Sequence, residues 1–219
     1  MKQLFIIANW KANKSTQEAT SWLEKIGSTW QSDLKEVILC PSFTLLHLAT
    51  DFISEGNLPI QIGSQDISKF DEGPFTGEVS GKLLKDYVTY CIIGHSERRE
   101  KLGESDEDIA QKVHQAEKYS LKSIFCVQGS DTQVPEGVEI VAYEPIFAIG
   151  TGSPDTPQNA DEVARQIKEK NPTLKYVLYG GSVNPENVHS FTSRDRIDGV
   201  LVGSKSLDPI IFSQIIVNS

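Results

Sequence analysis

Short apolar runs alternate with longer polar segments along the whole chain, and this alternation constrains the fold more than any other feature. Eight runs rich in β-branched and aromatic residues are strand candidates. They are Leu4–Ala8, Val37–Cys40, Ile60–Gly63, Tyr90–Gly94, Ser123–Val127, Glu139–Tyr143, Tyr176–Tyr179 and Gly199–Val202. Segments with helical apolar spacing follow most of them, at Thr16–Trp30, Thr44–Glu55, Ser80–Tyr87, Asp106–Tyr119, Thr156–Lys170, Pro185–Thr192 and Pro209–Val217.

This order of elements predicts a parallel sheet, because a helix between two strands returns the chain to the end where it started. Eight repeats in a chain of 219 residues favour one closed (β/α)₈ barrel domain over residues 1–219. A doubly wound open sheet is the alternative. The commonest nucleotide-binding motifs of that fold, G-x-G-x-x-G after the first strand and G-x-x-x-x-G-K-[ST], do not occur.

One crossover lacks a predicted helix. Only eleven residues, Gln128 to Val138, separate the fifth and sixth strands, and they include Gly129, Pro135 and Gly137. Fully extended, eleven residues reach roughly 36 Å, which is enough to return without a helix. We therefore expect this helix to be reduced or absent, which leaves seven main outer helices. An exposed apolar stripe between these strands would then need a loop or another subunit to shield it.

Composition narrows the classes of partner and cofactor. The net charge of −9 disfavours nucleic acid and anionic membranes, so an anionic substrate would need a local positive site. The cysteines, Cys40, Cys91 and Cys126, have no CxxC spacing and lie in apolar runs, which is typical of reduced thiols in a cytoplasmic protein. Neither a metal site nor a disulfide is indicated, and no run has transmembrane length.

Residues able to do chemistry directly follow five of the strand candidates. They are Asn9 to Lys11, Gly94 to Arg99, Glu144, Tyr179 to Ser182 and Val202 to Ser204. In such a barrel the carboxyl ends of the strands share one face, so these groups are expected to meet there. Taken singly, each group has a plain structural explanation as a solvated cation, a turn residue or a tight corner.

Glu144 is the first candidate for catalysis. It ends an apolar run, and Pro145 and the flexible segment around Gly150 and Gly152 follow it. A carboxylate that removes a proton from carbon must be held rigidly, and water must be excluded once substrate is bound. A strand-end glutamate beside a hinged loop meets both needs.

A phosphate site is predicted from the glycine-rich turns. A dianion is held well by backbone N–H groups at turns that open into helices, where no side chain blocks the approach. Gly150, Ser182, Gly203 and Ser204 suit that role.

The motifs together resemble the triosephosphate isomerase family over nearly the whole chain. They are NWK at 9–11, GSQDIS at 63–68, FTGEVS at 75–80, IIGHSERR at 92–99, YEPIFAIGTG at 143–152, YGGSV at 179–183 and DGVLVGS at 198–204. The resemblance implies a TIM barrel in the cytoplasm, acting in glycolysis and gluconeogenesis. It also implies interconversion of dihydroxyacetone phosphate and D-glyceraldehyde 3-phosphate without cofactor or metal.

The resemblance also implies roles for individual residues, in the acid–base pattern known for this family. Glu144 would shuttle the proton between two carbons, and neutral His95 would donate a hydrogen bond to the substrate carbonyl. Lys11 would supply positive charge to that oxygen and to the phosphate, and Asn9 would hydrogen-bond the same oxygen.

Two further roles are less specific. Glu97 would orient the cluster, or merely pair with Lys11 or Arg98, and the residues do not separate these possibilities. Ser96 would hold the Glu144 carboxylate while the lid is open.

The chain departs from the family pattern at several positions. Ser204 replaces a second glycine, and Lys205 replaces a small residue. Phe147 stands where the family has Trp, and Gly129 where it has an acidic residue; losing both partners of one hydrogen bond can be nearly neutral. The far hinge, Ser153-Pro154-Asp155, replaces Lys-x-Ala.

The loop from Asp66 to Ser80 resembles the family's dimerisation loop. Thr76 would reach into a neighbouring subunit near Asn9, Lys11 and Glu97, so we expect a homodimer, and the uncovered fifth strand could support a tetramer. Two alternative functions remain open at this stage. One is another phosphosugar barrel enzyme, and the other is a degenerate barrel kept as a binding or structural module.

Overall fold

The computed structural model describes residues 2–26, 35–148 and 154–219. Eight parallel strands form a closed barrel in sequence order, and the first strand pairs with the last. The strands are β1 (Leu4–Asn9), β2 (Lys35–Cys40), β3 (Ile60–Ser64), β4 (Tyr90–Ile93), β5 (Lys122–Val127), β6 (Ile140–Tyr143), β7 (Tyr176–Tyr179) and β8 (Gly199–Val202). The predicted barrel is confirmed, and the open sheet is wrong.

All seven predicted helical segments contain a helix, and an eighth short helix follows β4. The helices are α1 (Thr16–Ile26), α2 (Leu46–Glu55), α3 (Gly81–Leu84), α4 (Ser96–Leu102), α5 (Asp106–Lys118), α6 (Pro157–Lys170), α7 (Val188–Thr192) and α8 (Pro209–Asn218). The predicted end of α1 at Trp30 lies outside the described residues. Helix α7 begins later than predicted because the Asn184 side chain accepts the N–H groups of Glu186 and Asn187, which favours a turn there.

Two separate apolar clusters follow from the two-residue period of the strands. One cluster contains helix residues and fills the layer between the barrel and its helices. The other contains only strand residues, such as Phe5, Ile7, Ile140 and Ala142, and therefore fills the barrel interior. Continuing the same inward rows by two residues leads to Asn9 after Ile7 and to Glu144 after Ala142. The alternation of inward and outward side chains thus places these two polar groups at the mouth of the barrel, where the strands have their carboxyl ends.

No helix lies between β5 and β6, so the prediction for this crossover is confirmed. Of the two covers expected for the apolar stripe between these strands, a loop or another subunit, the structure shows the loop. The outward side chains Phe125, Val127 and Val141 are at most 1% exposed. The connection itself shields them, because Val138 belongs to the same apolar cluster and Val134 packs against it.

Cys40, Cys91 and Cys126 are buried and form no disulfide. Burial raises the pKa of Cys91 to about 12 and also raises the pKa values of the other two thiols. They are therefore protonated at neutral pH. None of the described helices is long and apolar enough to cross a membrane.

Candidate active site

The carboxylate of Glu144 lies in the mouth of the barrel, with only 1% of the residue exposed. The backbone N–H of Glu144 donates to the Val127 carbonyl at 2.7 Å, which ties the backbone of Glu144 to the end of β5. Its Oε1 lies 2.9 Å from Nε2 of His95, and its Oε2 accepts the backbone N–H of Ser96 at 2.9 Å. The contact from Ser96 is thus made by the main chain, and its hydroxyl has no hydrogen-bond partner among the described residues.

His95 is the residue that caps α4. Its Nδ1 accepts the backbone N–H of Glu97 at 3.2 Å. A ring nitrogen that accepts a hydrogen bond carries a lone pair, so the proton of the neutral imidazole lies on Nε2. Nε2 is the atom that faces Glu144, and it therefore donates to the carboxylate. The geometry thus fixes His95 as a neutral donor pointing into the mouth.

Lys11 adopts a left-handed backbone conformation, with φ of 53°. Its N–H donates to Oδ1 of Asn9 at 3.0 Å, and its carbonyl accepts from Nε2 of Gln65 at 2.9 Å. The same Gln65 nitrogen donates to the Cys40 carbonyl at 3.0 Å, which ties the Lys11 turn to the end of β2. This conformation is sparsely populated for residues other than glycine, and surrounding contacts have to maintain it.

The amine of Lys11 lies 2.9 Å from Oε1 of Glu97. Burial raises the pKa of Glu97, but the hydrogen bond and charge of Lys11 outweigh it, and the net pKa lies below the ordinary value. Arg98, the other partner considered for Glu97, instead pairs with Asp66 and Glu104 at 2.9 Å each.

These side chains share one cavity of about 580 Å³ with the glycine-rich turns. Asn9, Lys11, His95 and Glu144 line it, as do Ser182, Gly203, Ser204 and Lys205. A Cβ at Gly203 would lie 3.8 Å from the Lys11 amine, so this turn passes directly beside the cation. Gly150, the remaining predicted phosphate contact, lies outside the described residues.

The departures from the family pattern fall at different places. Phe147 is 62% exposed, and the space around Gly129 is open. Ser153 lies outside the described residues. Asp155 is buried, at 7% exposure, and makes several hydrogen bonds.

Sequence reasoning gave no role to Gln65 and named Gly180 only as part of the turn from Tyr179 to Ser182, yet both residues support the site. Gln65 holds the Lys11 turn, and a Cβ at Gly180 would lie 2.9 Å from Cγ of Glu144, so only glycine leaves room for the carboxylate. Each directly follows a strand end, as the predicted residues do. The same positional rule, which had already included Gly180, would also have found Gln65.

A second cavity, of about 510 Å³, lies beside the first. Asn9, Lys11 and His95 line both cavities, and Glu97 and Gln65 join them in the second. The predicted dimerisation loop is built around stacked rings of Phe70 and Phe75, whose centroids lie 4.1 Å apart. Its tip is exposed at Thr76.

Within the described parts of the chain, no group of three or more His, Cys, Asp or Glu side chains is arranged to hold a metal ion.

Comparison with known proteins assigns the family. Residues 4–219 match the family model described as triosephosphate isomerase. The chain belongs to the triosephosphate isomerase family. A triosephosphate isomerase of Mesomycoplasma hyopneumoniae is 40% identical over 246 aligned positions, covering 100% of both chains. That of Dictyoglomus thermophilum is 37% identical, with 99% of each chain covered.

A solved structure agrees with these relatives. The crystal structure of triosephosphate isomerase from Bartonella henselae superposes with a TM-score of 0.85 at 31% identity, covering 99% of this chain and 98% of that one. The barrel and the family resemblance predicted from the motifs are thereby confirmed.

Proposed function

We propose that this chain, as a triosephosphate isomerase, uses Glu144 as the base that interconverts dihydroxyacetone phosphate and D-glyceraldehyde 3-phosphate. One observation carries the assignment of roles: the groups of Glu144, His95, Lys11 and Asn9 line a single cavity that also contains the glycine-rich turns. A three-carbon phosphate that fills this cavity touches a base, a neutral donor and a cation at once. No observation favours a degenerate barrel.

Both oxygens of the Glu144 carboxylate are engaged by His95 and Ser96. In our proposal the substrate carbonyl takes over the Nε2–H of His95, and the released carboxylate turns toward the adjacent carbon. Glu144 removes a proton from that carbon, the electron pair moves onto the carbonyl oxygen, and an enediolate forms. The hydroxyl proton then moves from the oxygen on the first carbon to the former carbonyl oxygen, and return of the proton from Glu144 to the former carbonyl carbon completes the exchange of ketone and aldehyde.

Charge on the enediolate oxygen is stabilised by groups that are already in place. The side-chain amide of Asn9 has its oxygen occupied by the Lys11 N–H, which leaves its NH₂ to donate. Lys11 supplies positive charge, and Glu97 holds its amine in position. A donor set fixed before the reaction has little reorganisation to undergo as charge develops.

The phosphate is assigned to the turns formed by Ser182, Gly203 and Ser204, together with Gly150. Ser182 uses its hydroxyl to donate to the Ala148 carbonyl at 2.8 Å, so its backbone N–H is the group offered to the anion. Gly203 and Ser204 lie at the start of a turn of 3₁₀ helix, where backbone N–H groups lack helical acceptors.

An assay that couples glyceraldehyde 3-phosphate formation to a dehydrogenase tests the activity directly. Replacing Glu144→Asp withdraws the carboxylate by one methylene, and we expect kcat to fall by about 10²- to 10⁴-fold, the usual contribution of a positioned base. Unchanged turnover in a well-folded Glu144→Asp variant would contradict the role of Glu144. An inactive parent chain with intact structure would instead favour the degenerate barrel.

We further propose that the chain is one domain and assembles as a homodimer through the 66–80 loop. The tip of this loop is exposed, and the second cavity shares Asn9, Lys11 and His95 with the active site, so a loop tip that entered this cavity of another copy would reach the catalytic groups. Thr76 of one copy would then approach Lys11 of the other. The tetramer loses its original support, since the β5–β6 face is covered.

Light scattering and sedimentation test this assembly. Thr76→Arg places charge at the loop tip and should give monomers with lower activity, whereas Thr173→Arg, an exposed position in the loop before β7, should leave the dimer intact. Monomers in the parent chain at assay concentrations would rule out the dimer. A cytoplasmic location remains a prediction, supported by the family's glycolytic reaction and tested by cell fractionation.

A further inference from the structure

Asp155 is a buried carboxylate that the proposed mechanism leaves without a role. It is 7% exposed, and three donors surround it. Its Oδ1 accepts the backbone N–H of Thr156 at 2.7 Å, and its Oδ2 accepts the Asn159 side chain at 2.7 Å and the Tyr143 hydroxyl at a longer 3.4 Å. A buried carboxylate is costly unless donors compensate it, so its presence here calls for an explanation.

The contacts of Asp155 join three elements around the base. Tyr143 is the last residue of β6, and Asn159 lies in the first turn of α6. The backbone N–H of Asp155 donates to the hydroxyl of Tyr179, the last residue of β7, at 2.8 Å. One residue therefore holds two strand ends and a helix start together.

Both tyrosine hydroxyls stay protonated and able to donate. Burial raises the pKa of Tyr179 to about 12. Burial also raises the pKa of Tyr143, and the nearby Asp155 carboxylate raises it further. The Tyr143 contact is therefore one in which the phenol donates and the carboxylate accepts.

Tyr143 directly precedes Glu144, and the backbone of this pair is held on both sides. The Glu144 N–H donates to Val127 of β5, and the Tyr143 carbonyl accepts the Gly180 N–H at 2.7 Å. Beyond Glu144 the described chain leaves the sheet, and the Tyr143 side chain provides an anchor between the end of β6 and the segment just before α6. That anchor ends on Asp155.

We propose that Asp155 is a positioning residue for the catalytic base. Its carboxylate connects the Tyr143 hydroxyl to the start of α6 and so fixes the two described ends of the connection from β6 to α6. In the proposed mechanism the Glu144 side chain must turn from His95 to the substrate carbon. Asp155 keeps the backbone of Glu144 in place while the side chain turns. This inference rests on the proposed role of Glu144.

Loss of the carboxylate should appear in turnover more than in substrate binding. Among the described residues, no hydrogen bond joins Asp155 to the phosphate turns of Ser182, Gly203 and Ser204. Gly150 is the one assigned phosphate group in the connection that Asp155 holds. KM should therefore change by less than kcat, which a misplaced base lowers directly. We expect Asp155→Ala to lower kcat by about tenfold, because an error of 1 Å in a reacting group costs up to about 10²-fold. Asp155→Asn should recover part of this loss, since its amide oxygen still accepts.

A double-mutant cycle with Tyr143→Phe tests the connection itself. If Asp155 acts through the Tyr143 hydroxyl, Tyr143→Phe lowers kcat as well, and the double variant Tyr143→Phe with Asp155→Ala is no slower than Asp155→Ala alone. Hydrogen exchange of the peptide containing Glu144 gives a readout that does not depend on turnover. It should speed up in Asp155→Ala and stay unchanged in Asp131→Ala, a control at an exposed aspartate paired with Lys170.

The outcomes separate the competing explanations. A merely structural Asp155 would lower the melting temperature of Asp155→Ala but leave kcat of the folded enzyme within about twofold, and this result would overturn the proposal. Additive losses in the cycle, or unchanged exchange around Glu144, would also overturn it. If the parent chain itself showed no turnover, the proposed function would fail, whereas the exchange experiment would still decide whether Asp155 holds the backbone of Glu144.

Discussion

The same inward rows of side chains run through both ends of the barrel interior, but they fill the amino end and leave a cavity at the carboxyl end. At the amino end, the Tyr90 hydroxyl donates to Glu36, Gln3 donates to the same carboxylate at 2.9 Å, and the rings of Phe5 and Tyr176 pack 4.8 Å apart. Large rings fill this end, and the Glu36 carboxylate lies at its rim.

At the carboxyl end the inward rows finish with small residues, Ala142 before Glu144 and Gly180 beside it. The space that they leave is the 580 Å³ cavity, and the polar groups that line it keep donors and charge for a ligand. A carboxylate is present at both ends, so the carboxylate alone does not make a site. The two ends differ in the empty space beside the carboxylate and in the number of hydrogen-bond donors that are left for a ligand.

The largest effect is expected when the carboxylate at each end is replaced, in separate variants, by an amide. Glu144→Gln removes the proposed base, and we expect kcat to fall by about 10³-fold, within the range typical of general bases. Its melting temperature should fall slightly, because the amide oxygen can still accept the Ser96 N–H but the NH₂ group cannot accept from His95. Glu36→Gln should keep its turnover and lose about 1 kcal/mol of unfolding free energy from a weakened hydrogen bond.

Kinetics and urea unfolding on both variants measure these effects. If Glu36→Gln lost as much activity as Glu144→Gln, the amino end would take part in catalysis and the contrast would be wrong.

A second test compares two glutamines of β3 and its following loop. Gln65 supports the left-handed Lys11 turn, while Gln61 is an exposed residue in the inward row of β3, near the amino end of that strand. Gln65→Ala should lower kcat/KM by about tenfold, since Lys11 is then held less firmly, and small displacements of charged groups are expensive in catalysis. Gln61→Ala should be indistinguishable from the parent chain. Equal kinetics for the two variants would show that the Lys11 turn holds without Gln65.

The smallest expected effect is a difference in the pH at which each end loses stability. The pKa of Glu97 lies below its ordinary value of 4.5 in the folded state, so its stabilising contribution is present above pH 4.5 and is lost as pH falls through the folded pKa. Burial and the Glu36 hydrogen bond raise the pKa of Tyr90 above its ordinary value of 10.0. Its contribution is therefore present below pH 10 and is lost as pH rises further.

Urea-unfolding midpoints measured from acid to alkaline pH check this difference. Lys11→Met should reduce the loss of stability on the acid side only, and Tyr90→Phe should reduce the loss on the alkaline side only. Tyr143 and Tyr179 also have raised pKa values, so part of the alkaline loss will remain in Tyr90→Phe. Changes on the same side in both variants would contradict the assignment of each pH limit to one end.

Much of the fold could be predicted because it depends on local pattern. The apolar runs identified all eight strands, and glycine and proline between Gln128 and Val138 identified the crossover without a helix. The start of β2 at Lys35 was missed. Lysine has a low strand propensity, and this residue belongs to the strand because it pairs with Leu4 of β1.

The site was partly predictable for the same reason. Asn9 ends β1, His95 and Glu144 come shortly after the ends of β4 and β6, and the closed barrel brings strand ends together. The left-handed turn of Lys11, the main-chain donor of Ser96 and the buried network of Asp155 depend on contacts between distant segments. A single sequence carries no local pattern for such contacts, so these features required coordinates.

The crossover from β5 to β6 also has a practical use. It carries no helix, its Asp131 side chain is 96% exposed, and the residues that line the active-site cavity come from other parts of the chain. New chain termini, an affinity tag or an inserted reporter domain would be tolerated there better than in a helical crossover, since exposed loop tips accept such changes most readily. An engineer who wishes to permute or immobilise this enzyme should therefore cut or attach the chain near Asp131.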